Sequence, residues 1–282
     1  MSRSVWALIS LTRPPNGILM FIAVLAGVAL SDMKSITLET SILGLITAYS
    51  LNGSSMGFND YFDREVDSVN APHRPIPSGL VKPSQAILVS SLLGAVGIVS
   101  AALTSPACLA VASIAYAASL SYNAYLKKTG FAGNLAVSLV VVAPFIYGAV
   151  MSDGYVSPRL VFFAVPVLLS NTGREVIKGI TDVEGDALRG VRTIARIFGR
   201  RIAANLGALL YVSAVAVSPI PYLLNLVSWT YIAIVLPADA GFIYSAISIV
   251  RNPTPENAYK VKQQTLIWML IALIAFIAGS LL

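Results

Sequence analysis

Charge is scarce in this chain: 11% of its 282 residues are Asp, Glu, Lys or Arg, against 56% hydrophobic residues and a mean hydropathy of +0.78. That balance excludes a soluble domain of ordinary make-up and marks an integral membrane protein. Cysteine is nearly absent. Cys108 stands alone in an apolar stretch, which rules out a disulfide within the chain and a cysteine metal cluster, and it reads as a small core residue. Histidine occurs once, and His73 beside Arg74 reads as a loop hydrogen-bonder rather than a general base. There is no linker and no low-complexity tract. The net charge of +6 has no soluble basic domain or aromatic-interleaved platform behind it, so nucleic acid is not an expected partner. The apolar runs lack two-residue alternation, which excludes a transmembrane β-barrel. Arg3 and Arg13-Pro14-Pro15 superficially resemble a signal peptide's basic region, but no credible cleavage site follows, so the first run counts as a helix.

What is present is a series of apolar stretches: Gly17 to Ser31, Ile36 to Gly57, Ala86 to Thr104, Ala107 to Tyr122, Ala132 to Met151, Arg159 to Ile177, Ile202 to Leu224, Trp229 to Val250 and Leu266 to Leu282. They predict a single all-α domain over residues 1–282, a polytopic bundle of about nine transmembrane helices around a central cavity, with Ser105-Pro106 as a tight turn between the third and fourth. Basic residues are divided unevenly between the two ends of such a bundle. Lys34 and Arg159 fall at one end and the other seventeen at the opposite end. The positive-inside rule then places the N-terminus inside the cell and the C-terminus outside.

Two acidic clusters fall on the basic, cytoplasmic end. Asn59-Asp60-Tyr61-Phe62-Asp63-Arg64-Glu65-Val66-Asp67 follows the second apolar run, and Asp182-Val183-Glu184-Gly185-Asp186 follows the sixth. If the helix continues through the first cluster, Asp60, Asp63 and Asp67 share one face, and Asp182 and Asp186 repeat the four-residue spacing. Crowded carboxylates repel one another unless a divalent cation neutralises them, and Mg2+ typically takes one or two carboxylates plus phosphate oxygens. The pattern points to Mg2+ holding a phosphorylated substrate at the membrane. Glu65 and Glu184 lie between these positions and read as outer or solvent-facing carboxylates.

Sliding the chain by 119 residues superposes Asp63 on Asp182, Asp67 on Asp186 and Asn52 on Asn171. A four-helix unit used twice (helices 1–4 and 5–8), with a ninth helix added, would account for it. Eleven residues are about three helical turns, so Asn52 and Asn171 are expected about 16 Å deeper than the carboxylates and on nearly the same faces, facing one cavity.

Cations flank the clusters. Arg74 in His73-Arg74-Pro75-Ile76-Pro77-Ser78-Gly79 and Lys127 after Tyr122-Asn123 can take the phosphate oxygens that Mg2+ leaves free, Arg as a fork and Lys as a point charge. Lys128 serves equally well as a membrane anchor. Arg174 and Lys178, with Glu175 between them, lie close enough to the hydrocarbon that they must face a polar cavity and each other, and they are candidate substrate contacts. Asp239 is either a functional contact or a partner for Asn205 or a tyrosine. Gly53 and Gly57 mark either close helix packing or room for a substrate tail.

Asn59-Asp60-x-x-Asp63-x-x-x-Asp67 and Asp182-x-x-x-Asp186 on a nine-helix chain resemble the UbiA superfamily of intramembrane prenyltransferases, over the whole chain. The segments NDYFDREVDSVNAPHRPIPSG and GREVIKGITDVEGD are similar to its archaeal ether-lipid branch. The resemblance implies transfer of a geranylgeranyl group from its diphosphate to geranylgeranylglyceryl phosphate, with an aromatic acceptor such as 4-hydroxybenzoate as the alternative. It implies two Mg2+ ions held by Asn59, Asp60, Asp63, Asp67, Asp182 and Asp186, with Arg74, Tyr122 and Lys127 on the diphosphate. Asn52, Asn171 or Tyr122 would supply dipoles near an allylic cation. The partners are then a prenyl diphosphate, a membrane-associated acceptor and the bilayer, with no obligatory protein partner. A transporter is the rival from another class, but its charged groups would be expected near the membrane midplane, and these lie at one face. A phosphotransferase acting on cytidine-diphosphate alcohols is set aside because its Gly-rich Asp signature is missing.

Overall fold

In lipid, backbone N–H and C=O groups have no water to bind, so each long apolar stretch must close its own hydrogen bonds. The computed structural model describes residues 3–31, 36–183, 187 and 190–281, and among them there are helices and no strands. The longer helices are α1 (Arg3–Leu11), α2 (Pro14–Ala29), α3 (Leu38–Asn70), α4 (Pro83–Thr104), α5 (Pro106–Ala124), α6 (Phe131–Asp153), α7 (Val161–Thr181), α8 (Arg200–Val217), α9 (Trp229–Arg251) and α10 (Pro255–Leu281). Short helical turns at Ile194–Phe198 and Ile220–Leu223 flank α8.

The expected nine spans correspond to α2 through α10. Eight candidate spans are long and apolar enough to cross a membrane, α1 and α2 being counted together as Val5–Ala29. The exception is α3, whose 33 residues give ample length but whose second half is polar. Ser105 makes the foreseen tight turn: its hydroxyl accepts from the Cys108 amide at 3.0 Å and caps α5, with Pro106 as the first helical residue. Cys108 is buried in the core, as expected. A break at Arg13 was not expected. Arg13 adopts a left-handed backbone (φ 48°, ψ 66°) just before Pro14-Pro15, and this separates the amphipathic α1 from α2.

Packing runs α3 on α4, α7 on α8, α9 on α10 and α2 on α6. Between membrane helices the drive is close van der Waals contact, which small residues permit. On α2 and α6, a Cβ at Gly27 would lie 2.1 Å from the Phe145 carbonyl oxygen, and one at Gly148 only 2.0 Å from that of Val24. The two backbones can meet there only because both positions lack a side chain. The same measure settles Gly53 and Gly57. A Cβ at Gly57 would lie 2.1 Å from Ser90 Oγ on α4, and one at Gly53 would press on Thr12 and Leu93, so this pair serves helix packing. Aromatic clusters, such as Phe163, Tyr231 and Phe276, fill the interior where α7, α9 and α10 meet.

Candidate active site

Alternation of the helices gathers the C-terminal ends of α3, α5 and α7 and the N-terminal ends of α2, α6 and α10 at one end of the bundle. There a cavity of about 1060 Å³ opens and runs inward between the helices. Its mouth carries Arg13, Asp63, Asp67, Arg74, Lys127 and Asp182, and its interior is apolar, with Phe145, Leu273 and Phe276 in the wall.

α3 continues unbroken through the first acidic cluster, so Asp60, Asp63 and Asp67 do share one face, and all three are buried. Each is held by a cation. Arg13 Nη2 reaches Asp60 Oδ1 at 2.6 Å, Lys127 Nζ reaches Asp63 Oδ2 at 2.5 Å, and Arg74 Nη1 reaches Asp67 Oδ2 at 2.5 Å and Asp60 Oδ1 at 3.5 Å. Asn59, Asp63 and Asp67 form part of the cavity wall, while Asp60 is set back against the two arginines. The Asn59 side-chain amide donates to Asn123 Oδ1 at 3.1 Å, and Asn123 in turn donates to the Ser55 carbonyl. These bonds lock α3 to α5 beside the carboxylates.

The second cluster begins where a helix stops. α7 ends at Thr181 and Asp182 is its C-terminal cap, so the helical face shared by the first three carboxylates is not continued here. Asp182 accepts from Thr181 Oγ1 at 2.7 Å and faces the cavity. Glu184 and Asp186 lie outside the described residues. Glu65 is exposed against Arg64, in keeping with a solvent-facing role.

Two turns deeper on α7, Glu175 bridges two cations, accepting from Arg174 Nη1 at 3.0 Å and from Lys178 Nζ at 3.2 Å. The cost of placing these charges near hydrocarbon is met by mutual pairing and by the cavity. Tyr122 is buried in the wall, and His73 lies exposed at the mouth. Asn52 and Asn171 both line the same cavity below the carboxylates. Asn171 donates to Ser138 Oγ at 3.0 Å, while Asn52 Nδ2 is buried without a hydrogen-bond partner among the described residues. Among the described residues, Asp239 shows no hydrogen bond to Asn205 or to a tyrosine. It accepts from Ser218 Oγ at 2.6 Å, and the Tyr231 hydroxyl donates to the Ser218 carbonyl.

Sequence reasoning missed three wall residues: Arg13, Tyr259 and Lys262. The Pro14-Pro15 pair signals the break that turns Arg13 toward α3, and Lys262 stands two turns inside α10, where a cation needs a polar neighbour.

Residues 20–278 match the family model described as the UbiA prenyltransferase family. The chain belongs to that family. Its relatives include a digeranylgeranylglyceryl phosphate synthase of Archaeoglobus fulgidus, 36% identical with 99% of this chain and 97% of the relative covered. Another, from Methanosphaera stadtmanae, is 34% identical, with 97% and 98% covered. A solved structure concerned with digeranylgeranylglyceryl phosphate synthase in membranes superposes with a TM-score of 0.78 at 30% identity, covering 99% of both chains. The UbiA homolog from Archaeoglobus fulgidus bound to DMAPP and Mg2+ shares the fold, with a TM-score of 0.73 at 18% identity over 98% of this chain and 99% of that one. The protein is thus an integral membrane prenyltransferase of the UbiA family.

Proposed function

We propose that this UbiA prenyltransferase transfers a geranylgeranyl group from geranylgeranyl diphosphate to geranylgeranylglyceryl phosphate, a step of archaeal ether-lipid synthesis. The observation that carries the reading is a cavity charged at its mouth and largely apolar within, in a chain matched almost end to end by synthases of that lipid. Its volume is at or just above the top of the roughly 300–1,000 Å³ range of small-molecule sites, which suits long isoprenoid tails.

The donor set suits Mg2+. Asp60, Asp63 and Asp67 offer hard oxygen atoms on one face, and Asp182 stands at the same mouth. No three His, Cys, Asp or Glu side chains among the described residues converge on one point. That is compatible with an ion that takes one or two carboxylates and fills its shell with phosphate oxygens and water. We assign two ions to Asn59, Asp60, Asp63, Asp67, Asp182 and Asp186. Bound there, Mg2+ would neutralise the diphosphate and make it a better leaving group.

The chain's own residues do the rest. Arg74, Lys127 and Tyr122 grip the diphosphate oxygens, their cations exchanging carboxylate partners for phosphate. As the allylic carbon–oxygen bond breaks, its electron pair leaves with the diphosphate. The glyceryl hydroxyl oxygen then bonds to the allylic carbon and gives up its proton to an oxygen of the released diphosphate. The apolar wall keeps water from the cationic carbon, while Asn52 and Asn171, about three helical turns deeper, line the part of the cavity left to the isoprenoid tails. Arg174 and Lys178 act on substrate headgroups.

The active site and the N-terminus lie on the cytoplasmic side and the C-terminus outside, a reading supported by the seventeen-to-two division of basic residues. A membrane-impermeant maleimide added to intact cells, with Cys108→Ser as background, should label Tyr155→Cys and spare Ser78→Cys; the reverse pattern rejects the orientation. For the reaction, purified protein with Mg2+, labelled geranylgeranyl diphosphate and geranylgeranylglyceryl phosphate should yield labelled digeranylgeranylglyceryl phosphate. Absence of that product rejects the reading.

A further inference from the structure

The cations of the cavity fall into two groups with different local charge. Arg13, Arg74 and Lys127 face Asp60, Asp63 and Asp67, three cations against three carboxylates. On the α7–α10 side of the cavity, Arg174 and Lys178 pair with Glu175, and Lys262 stands within electrostatic reach of Asp182 first and of Glu175 second. Among the described residues this second group retains excess positive charge even when both acids are counted. It is also built as a unit. Glu175 spends one oxygen on Arg174 and the other on Lys178, and Arg174 Nε donates to the Lys262 carbonyl at 3.3 Å, tying α7 to α10. The Lys262 ammonium rests 4.8 Å from the centre of the Tyr259 ring, and Arg174, Lys178, Tyr259 and Lys262 all line the cavity.

The reaction proposed above brings two anionic headgroups to one cavity. The diphosphate is consumed at the carboxylate side, where its charge must be neutralised. The acceptor's phosphomonoester takes no part in bond making, yet it is multiply charged and must be held near a like-charged group. Two such headgroups repel one another unless each has its own countercharge. We infer that Arg174, Lys178 and Lys262 form a separate subsite for the phosphomonoester of the lipid acceptor, with Glu175 positioning the first two cations. The inference rests on the proposed reaction and divides its binding residues: Arg74 and Lys127 serve the donor, while Arg174, Lys178 and Lys262 serve the acceptor. It also gives the acceptor a metal-independent site.

Binding in the absence of catalysis tests this. Geranylgeranylglyceryl phosphate and its dephosphorylated alcohol are titrated into detergent-purified, chelator-treated protein without donor. The wild type should bind the phosphorylated lipid about tenfold more tightly or better, the range of a charge-assisted contact. Lys262→Gln should close most of that gap and Lys262→Arg should keep it, while Mg2+-dependent binding of geranylgeranyl diphosphate stays within about twofold. Arg74→Gln should do the converse. Lys178→Gln is the second variant at the subsite, and a folded protein is verified by unchanged binding of the alcohol. A phosphate preference that survives both Lys262→Gln and Lys178→Gln, or donor binding weakened by the same factor, overturns the subsite. Product formation is scored separately. A wild type that prefers the phosphate through these lysines but makes no product refutes the reaction and leaves the subsite standing, whereas a productive wild type whose preference ignores them does the opposite.

Discussion

Lys127 Nζ lies 2.5 Å from Asp63 Oδ2, joining the connection after α5 to the carboxylate face of α3 across 64 residues of sequence. Both groups line the cavity, so an ammonium stands beside a carboxylate where a divalent cation and a diphosphate are proposed to bind. Lys127 is therefore placed both to hold the site together and to accept a phosphate oxygen.

Replacing Asp63 by Ala removes a proposed metal ligand and leaves Lys127 facing the mouth. Charge neutralisation of this kind is worth several kcal/mol, so turnover should fall by about 100-fold or more. Chelator should abolish wild-type turnover, and added Mg2+ should restore it. Steady-state assays with a parallel thermal melt in detergent check this; a folded Asp63→Ala protein with near-normal turnover would make the acidic pair structural.

Arg13 makes a sharper test because its importance comes only from three-dimensional placement. Arg13→Ala strips Asp60 of its shorter ion pair, a carboxylate only 4% exposed, and Arg74 must then serve both Asp60 and Asp67. The efficiency toward the donor should drop by about tenfold or more, as for loss of a charge-assisted contact. Arg13→Lys should recover only part of it, since a point charge cannot reproduce the guanidinium fork. Full recovery with Lys would show that charge alone matters here.

Gly148→Ala probes the scaffold independently of the chemistry. The added Cβ meets the Val24 carbonyl at 2.0 Å and must push α2 from α6. Overpacking against backbone should destabilise by about 1–3 kcal/mol, read as a lowered melting temperature in detergent. An unchanged melt would mean that the α2–α6 contact is looser than described.

Much of this architecture is legible in the residues. The spacing of Asp60, Asp63 and Asp67 fixes a shared face as soon as the helix is continuous, and the membrane-length apolar runs point to a polytopic helical bundle. Paired charges at Arg174, Glu175 and Lys178 must find one another because lipid offers them nothing else. The rest depended on where helices stop and what they meet. Spacing could not show that α7 ends before Asp182, since a four-residue interval reads alike in a helix and a turn. Arg13 reads as one of the seventeen basic residues at the cytoplasmic end until the left-handed break turns it onto Asp60. Lys262 and Tyr259 come from a helix with no acidic cluster, and only the packing of α10 on α7 brings them to the cavity. Gly53 and Gly57 fit two readings equally in the sequence, and only the approach of Leu93 and Ser90 on α4 decides for packing.

The most direct measurement offers the purified enzyme both acceptor classes at once. Geranylgeranyl diphosphate and Mg2+ are supplied with equal concentrations of geranylgeranylglyceryl phosphate and 4-hydroxybenzoate, and products are identified by mass spectrometry. The account predicts digeranylgeranylglyceryl phosphate as the dominant product, with none in chelator. Robust prenylation of the aromatic acid with none of the glyceryl phosphate would contradict it.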